Sequence, residues 1–120
     1  MFKEIDNIFL PVADMAKAKE FYENTLGLNV KFDFPDKGMT AYKIGNQEPA
    51  IILRDLAKFP NTTPCAWFVV DSVRTSYQQL KDKGIKFVSE PYEIKTGVAV
   101  EFLDPFGNRI GITDYSKIGV

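Results

Sequence analysis

The chain holds no histidine, one cysteine, Cys65, and one tryptophan, Trp67. Without imidazole there is no Ser-His-Asp or Cys-His nucleophilic machinery, no His-ligated zinc or iron and no histidine general base. A single thiol forms neither an intrachain disulfide nor a thiolate cluster. With no histidine or second cysteine to activate it, Cys65 reads as a small buried hydrophobe, and a lone thiol suits a reducing compartment. The groups left for chemistry are few. Glu101 and Asp104 flank the end of one strand, and a carboxyl raised in pKa by apolar surroundings could move a proton. Arg54 could pair with a carboxylate or phosphate in bidentate geometry. Trp67, Phe9, Tyr42 and Phe102 could stack a conjugated ligand, each contact adding about 0.5–1.5 kcal/mol beyond burial.

The elements that must position these residues follow from periodicity. Ile5–Val12 is β-rich and reads as a strand. Asp14 stands where a helix N-cap belongs, and Met15, Ala18, Phe21, Tyr22 and Leu26 form one apolar helical stripe stopped at Gly27. Strands follow at 28–34, 39–44 and 50–54, separated by the turn sequences 35–38 and 45–48. After a proline-containing linker the order starts again. A strand at 65–70 precedes a second candidate cap, Asp71, then a helical stripe of Val73, Tyr77 and Leu80 stopped at Gly84. Strands are expected at 86–89, 98–103 and 109–113, with Asp104-Pro105-Phe106-Gly107 as a tight turn before the last. Asp14 and Gly27 recur as Asp71 and Gly84 at an offset of 57 in both cases. The sequence thus predicts one α/β (α+β) domain over 1–120, built from modules 1–57 and 64–120 joined by a linker at 58–63. Each module pairs one sheet with one helix and needs further cover for its other face.

Composition sets the broad class. Hydrophobic residues at 45% and charged residues at 26% are those of a globular protein rather than a disordered chain. Fifteen Lys and Arg against sixteen Asp and Glu leave a net charge of −1, with no basic block to favour nucleic acid or an anionic membrane. No run approaches the roughly eighteen apolar residues of a membrane-spanning helix, and the charged first residues do not read as a signal peptide. A cytoplasmic protein is expected.

Three segments together resemble the vicinal oxygen chelate superfamily of glyoxalase I, bleomycin-resistance proteins and extradiol dioxygenases. They are Ile8–Met15 leading into Ala18–Leu28, then Phe68–Val73, and Phe102–Ile110 with its Asp-Pro-x-Gly-Asn turn. The resemblance implies two βαβββ modules whose sheets wrap into an open cup, and pairing into homodimers. It also implies a metal held by first- and fourth-strand side chains of each module. Here those positions fall on Asn7, Ile52, Cys65 and Gly111. Slipping the alignment would offer Asp6, Arg54 or Asp114, but strand alternation turns Asp6, adjacent to Asn7, to the opposite face. An amide, an aliphatic chain, a thiol and no side chain make no tight divalent site. No metal or other cofactor is expected.

What the resemblance then implies is a ligand cup of Asn7, Phe9, Tyr42, Ile52, Arg54, Cys65, Trp67, Phe102, Gly111 and Thr113, apolar and roomy enough for a flat organic molecule. Asn7 and Thr113 would supply directional hydrogen bonds. Phe102 is expected to face the cup, leaving Glu101 outside. The favoured function is metal-free binding of a small molecule, an aromatic drug or metabolite, in the manner of bleomycin-resistance proteins. The alternative is a glyoxalase-like lyase or isomerase with an atypical metal site or none. A third reading is a protein-interaction domain whose cup is vestigial.

Overall fold

In the computed structural model, residues 1–118 are described, so the last two positions of the second module, 119–120, lie outside the described residues. The chain forms two compact units. One comprises residues 7–64, and the other residues 1–6 with those from Cys65 onward.

In the 7–64 unit, the part of β1 (Glu4–Val12) from Asn7 onward runs parallel to β4 (Ala50–Asp55), and β4 pairs antiparallel with β3 (Met39–Lys43), which pairs antiparallel with β2 (Val30–Phe34). The expected first helix is present but is not one regular helix. α1 (Met15–Lys19) begins with the Asp14 carboxylate accepting from Lys17 N at 3.0 Å, as an N-cap does. Over Glu20–Thr25 it widens into a π-helical stretch, and Leu26 N reaches back five residues to Phe21 O. Gly27, with φ of 69°, ends it.

In the other unit, β5 (Cys65–Val69) runs parallel to β9 (Arg109–Thr113), which pairs antiparallel with β8 (Val98–Leu103). Two short strands, β6 (Lys86–Phe87) and β7 (Tyr92–Glu93), both pair with β8. The strand expected at 86–89 is thus shorter, and β7 is an element that two residues of sequence could not announce. α2 (Val73–Asp82) lays Val73 and the half-buried Tyr77 and Leu80 on a core of Val98, Val100, Phe102 and Ile112. Burying such side chains contributes about 1.5–3 kcal/mol each.

Asp71 is not the cap of α2. Ser72 holds that place, its side chain accepting from Thr75 N, while exposed Asp71 pairs with Lys3. The donor at the first helical residue, Val73 N, goes instead to Asp114 Oδ2 at 2.8 Å. The same carboxylate accepts from Val98 N at 2.9 Å and Ser116 Oγ at 2.7 Å. Burial pulls the Asp114 carboxyl upward, but these hydrogen bonds outweigh it and hold the group below the usual aspartate range.

Candidate functional site

Within each unit the sheet has one face under its helix and one face turned the other way. Register decides which residues occupy which.

In the 7–64 unit, Asn7 sits opposite Ala50, Phe9 opposite Ile52, and Ala41 opposite Ile52 on the other side. Ala41, Ala50 and Ile52 form a buried cluster with Phe9, Phe32 and Met39 packed against it. Two positions further along β4, Arg54 lays its guanidinium 3.8 Å from the Phe9 ring centroid and 5.3 Å from that of Phe59. That is cation–π geometry, so Arg54 is a half-buried packed group rather than a free surface charge. The Asn7 side-chain oxygen accepts from Ala50 N at 3.0 Å, tying β1 to β4.

Tyr42 departs from this set. It lies one residue along from Ala41 and so faces the helix. It is fully buried, its ring stacks on Tyr22, and its hydroxyl donates to Glu23 at 2.7 Å. Burial and the Glu23 carboxylate push its ionisation well above the normal tyrosine value. The structure therefore does not bring Tyr42 together with Ile52 and Arg54.

In the second unit, Cys65, Trp67, Gly111, Thr113, Glu101 and Arg109 share the face away from α2, since Trp67 and Glu101 both lie opposite Gly111 from its two neighbouring strands. The Trp67 indole lies directly on Gly111. A Cβ built there would stand 2.2 Å from Cδ2 and 2.3 Å from Cε2 of the ring, which no side chain tolerates. Glycine at 111 therefore does not open the site, because the indole fills it. Cys65 and Trp67 are both buried. The Thr113 hydroxyl is directed to the backbone, to Val98 O at 3.2 Å and Asp114 O at 3.3 Å, so it is not held ready for a ligand.

The expected orientation of Glu101 and Phe102 on β8 is reversed. Phe102 packs in the core under α2 with Phe87, and Glu101 takes the Trp67 side. Glu101 retains 8% exposure, and Arg109 Nη1 donates to its Oε1 at 3.1 Å. Asp104 is committed to its turn instead, accepting from Phe106 N at 2.8 Å, Asn108 N at 2.9 Å and Asn108 Nδ2 at 2.8 Å. The Asn108 amide, joined by those backbone donors, holds the Asp104 carboxyl below its ordinary value. The braced turn presents Phe106 with 88% of its surface exposed.

Residues 4–112 match the family described as the Glyoxalase/Bleomycin resistance protein/Dioxygenase superfamily. The chain belongs to that superfamily. Its fold accords with this, as methylmalonyl-CoA epimerase from Mycobacterium tuberculosis superposes with a TM-score of 0.70 at 19% identity, covering 94% of this chain and 88% of the epimerase. A variant of the Streptomyces coelicolor methylmalonyl-CoA epimerase in complex with 2-nitronate-propionyl-CoA gives 0.72 at 17% identity, covering 97% and 99%. In sequence, the chain is 24% identical to YetH of Bacillus subtilis strain 168 over 114 residues, covering 90% of this chain and 95% of YetH.

The superfamily's metal does not fit the residues present. Asn7 spends its side-chain oxygen on Ala50 N, Ile52 carries no donor atom, and Gly111 is sealed by an indole. Cys65 would be one thiol ligand where zinc takes three or four donors. Of the carboxylates a slipped alignment would offer, Asp114 is engaged by backbone amides and Asp6 by the Tyr115 hydroxyl. Among the described residues no group of three or more His, Cys, Asp or Glu is placed to hold a metal ion.

Glu101, expected outside, is thus a residue of this face, and Arg109, which was not among the expected residues, joins it. The signal was present, because Val98, Val100 and Phe102 form an apolar period-two stripe that belongs under a helix.

Proposed function

We propose that this superfamily member binds a small organic molecule without a divalent ion, in the manner of the bleomycin-resistance branch, and does so as a homodimer in the cytoplasm. The observation that carries the reading is the Trp67 indole seated on Gly111, where the fourth metal ligand would otherwise project. An aromatic plate in place of a carboxylate recognises planar, apolar surface rather than coordinating a chelate. Taken by itself, the 7–64 unit also carries a preorganised group, Arg54 on Phe9, suited to an anionic or conjugated ligand. Because Trp67 is the only tryptophan, its emission reports directly on this plate. Titration with a panel of planar aromatic antibiotics and metabolites is expected to give saturable, stoichiometric quenching, and calorimetry with the same compound should show binding weakened tenfold or more by Trp67→Leu. A panel without any saturating compound overturns the reading. Native mass spectrometry of the purified protein is expected to give a dimer at its bare mass. A monomer sinks the assembly, and a dimer carrying divalent ions through desalting sinks the metal-free mechanism.

A second reading is favoured by one observation, the Glu101 carboxylate on the Trp67 side of the sheet. A buried carboxylate beside a binding face can act as an acid or base, which supports isomerase or lyase chemistry. The fold's likeness to acyl-CoA epimerases makes methylmalonyl-CoA the substrate to try first. Deuterium uptake from heavy water into the thioester, abolished by Glu101→Gln, is the expected outcome on this reading. No exchange above the uncatalysed rate removes it.

A further inference from the structure

We propose that the groove between the bulged strand β2 and the β3–β4 loop of the 7–64 unit is a binding site for a phosphate group, held by the ammonium groups of Lys31 and Lys43. The groove has a volume of about 470 Å³ and is walled by these two lysines and by the loop residues Asn46, Gln47 and Glu48. Its construction begins in the strand register. Val30 lies opposite Tyr42 and Phe32 opposite Ala41, so Lys31 is the extra residue of a β-bulge. Bulges re-aim a side chain that regular alternation would send elsewhere, and they recur beside binding sites.

The re-aimed Lys31 does not swing freely. Its Nζ donates to the backbone oxygen of Glu48 at 3.0 Å, which fixes the charge on the groove wall and leaves two N–H donors. Fixing a long side chain in advance removes part of the entropy that binding would otherwise cost. Lys43, exposed at the end of β3 opposite Ala50, carries the second positive charge. The side-chain amides of Asn46 and Gln47 add neutral donors. A tetrahedral oxyanion accepts several such donors at once, and lysine serves phosphate well as a compact point charge. The Glu48 carboxylate also lines the groove and opposes an anion, which supplies a test of sign.

This inference does not rest on the function proposed above. Its readout is backbone amide NMR of the intact protein at low ionic strength, which leaves Trp67 out of the measurement, so either reading can fail alone. Titration with inorganic pyrophosphate is expected to shift the amides of Lys31, Lys43 and residues 45–48 and to saturate. The double variant Lys31→Gln/Lys43→Gln should weaken binding tenfold or more with the rest of its spectrum unchanged. Glu48→Gln, which keeps the backbone oxygen that anchors Lys31, should tighten it several-fold. Inorganic phosphate and glycerol phosphate, single phosphate groups of similar charge, distinguish the source: tighter binding of glycerol phosphate assigns the group to an organic ligand, and tighter binding of inorganic phosphate assigns it to the free ion. Shifts spread over all surface lysines, equal shifts with chloride at matched ionic strength, or a titration indifferent to the lysine substitutions would each overturn the proposal. So would weaker binding by Glu48→Gln, since that marks the groove as a cation site.

Discussion

The six-membered ring of Trp67 occupies the volume in which a side chain at position 111 would begin, so Gly111 and Trp67 are one packing unit made by two adjacent parallel strands. Neither residue can be changed alone without cost. Gly111→Ala drives a methyl group into the ring and should destabilise the protein by about 1–3 kcal/mol, as overpacking of a filled core does. Urea unfolding followed by circular dichroism measures this, and a loss under about 0.5 kcal/mol, the size of an ordinary surface substitution, would show that the ring moves aside freely. Combining Gly111→Ala with Trp67→Leu should recover part of the loss, because coupled neighbours are not additive.

Asp114 ties the start of α2 to β8 through Val73 N and Val98 N. Asp114→Asn keeps the shape but replaces charge-assisted bonds with neutral ones and should cost about 1–3 kcal/mol. The native carboxyl is held below its unfolded value of about 3.9, so its contribution is complete above that pH and is lost as pH falls through the folded value. Circular dichroism between pH 7 and 2 should show a steeper acid loss of stability in the native protein than in Asp114→Asn. Identical profiles would remove Asp114 from the account.

Tyr42 is the opposite case in sign. Its hydroxyl is held protonated above its unfolded value of about 10, so its bond to Glu23 stabilises fully below that pH and less as pH climbs beyond it. Tyr42→Phe strands the half-buried Glu23 and should cost about 1–2 kcal/mol at pH 7. Thermal unfolding of the pair of proteins decides it, and an unchanged midpoint would mean that water replaces the hydroxyl.

Divalent ions should not stabilise the fold. A ligand present at a thousand times its Kd raises stability by about 4 kcal/mol. Thermal scans with nickel, zinc or manganese at micromolar to millimolar concentration are expected to leave the midpoint within about 1 °C, well short of the shift such a gain produces. A clear rise with one ion would place a metal site among residues other than Asn7, Ile52, Cys65 and Gly111.

Much of the fold was legible in the sequence because local chemistry and periodicity agreed. Asp14 caps α1, Gly27 and Gly84 adopt positive φ after their helices, and β8 and β9 have the bounds that alternation and the Asp-Pro turn imply. What escaped depended on partners far along the chain. Asp71 has the right residue type for a cap, but Ser72 and the distant Asp114 supply the bonds. The site was harder, since alternation states that Glu101 and Phe102 point oppositely without stating which way. The answer comes from Val98 and Val100, which commit their face to α2. Tyr42 was misplaced for the same reason. Its face is fixed by Glu23 and Tyr22, brought there by a helix whose π-helical widening leaves no mark in the pattern of apolar residues. The groove lysines went unnoticed because a bulge is a property of pairing, and Lys31 alone looks like any solvated charge.

The braced turn at residues 104–108 has a practical use. Phe106 stands almost wholly in solvent on a backbone that Asp104 pins at two amides, while the chain's one thiol, Cys65, is buried. Phe106→Cys therefore creates a single addressable handle on a rigid mount. A spin label attached there would report one distance between the two copies of the proposed dimer, broadened little by motion of the loop itself, and no distance at all if the protein is a monomer.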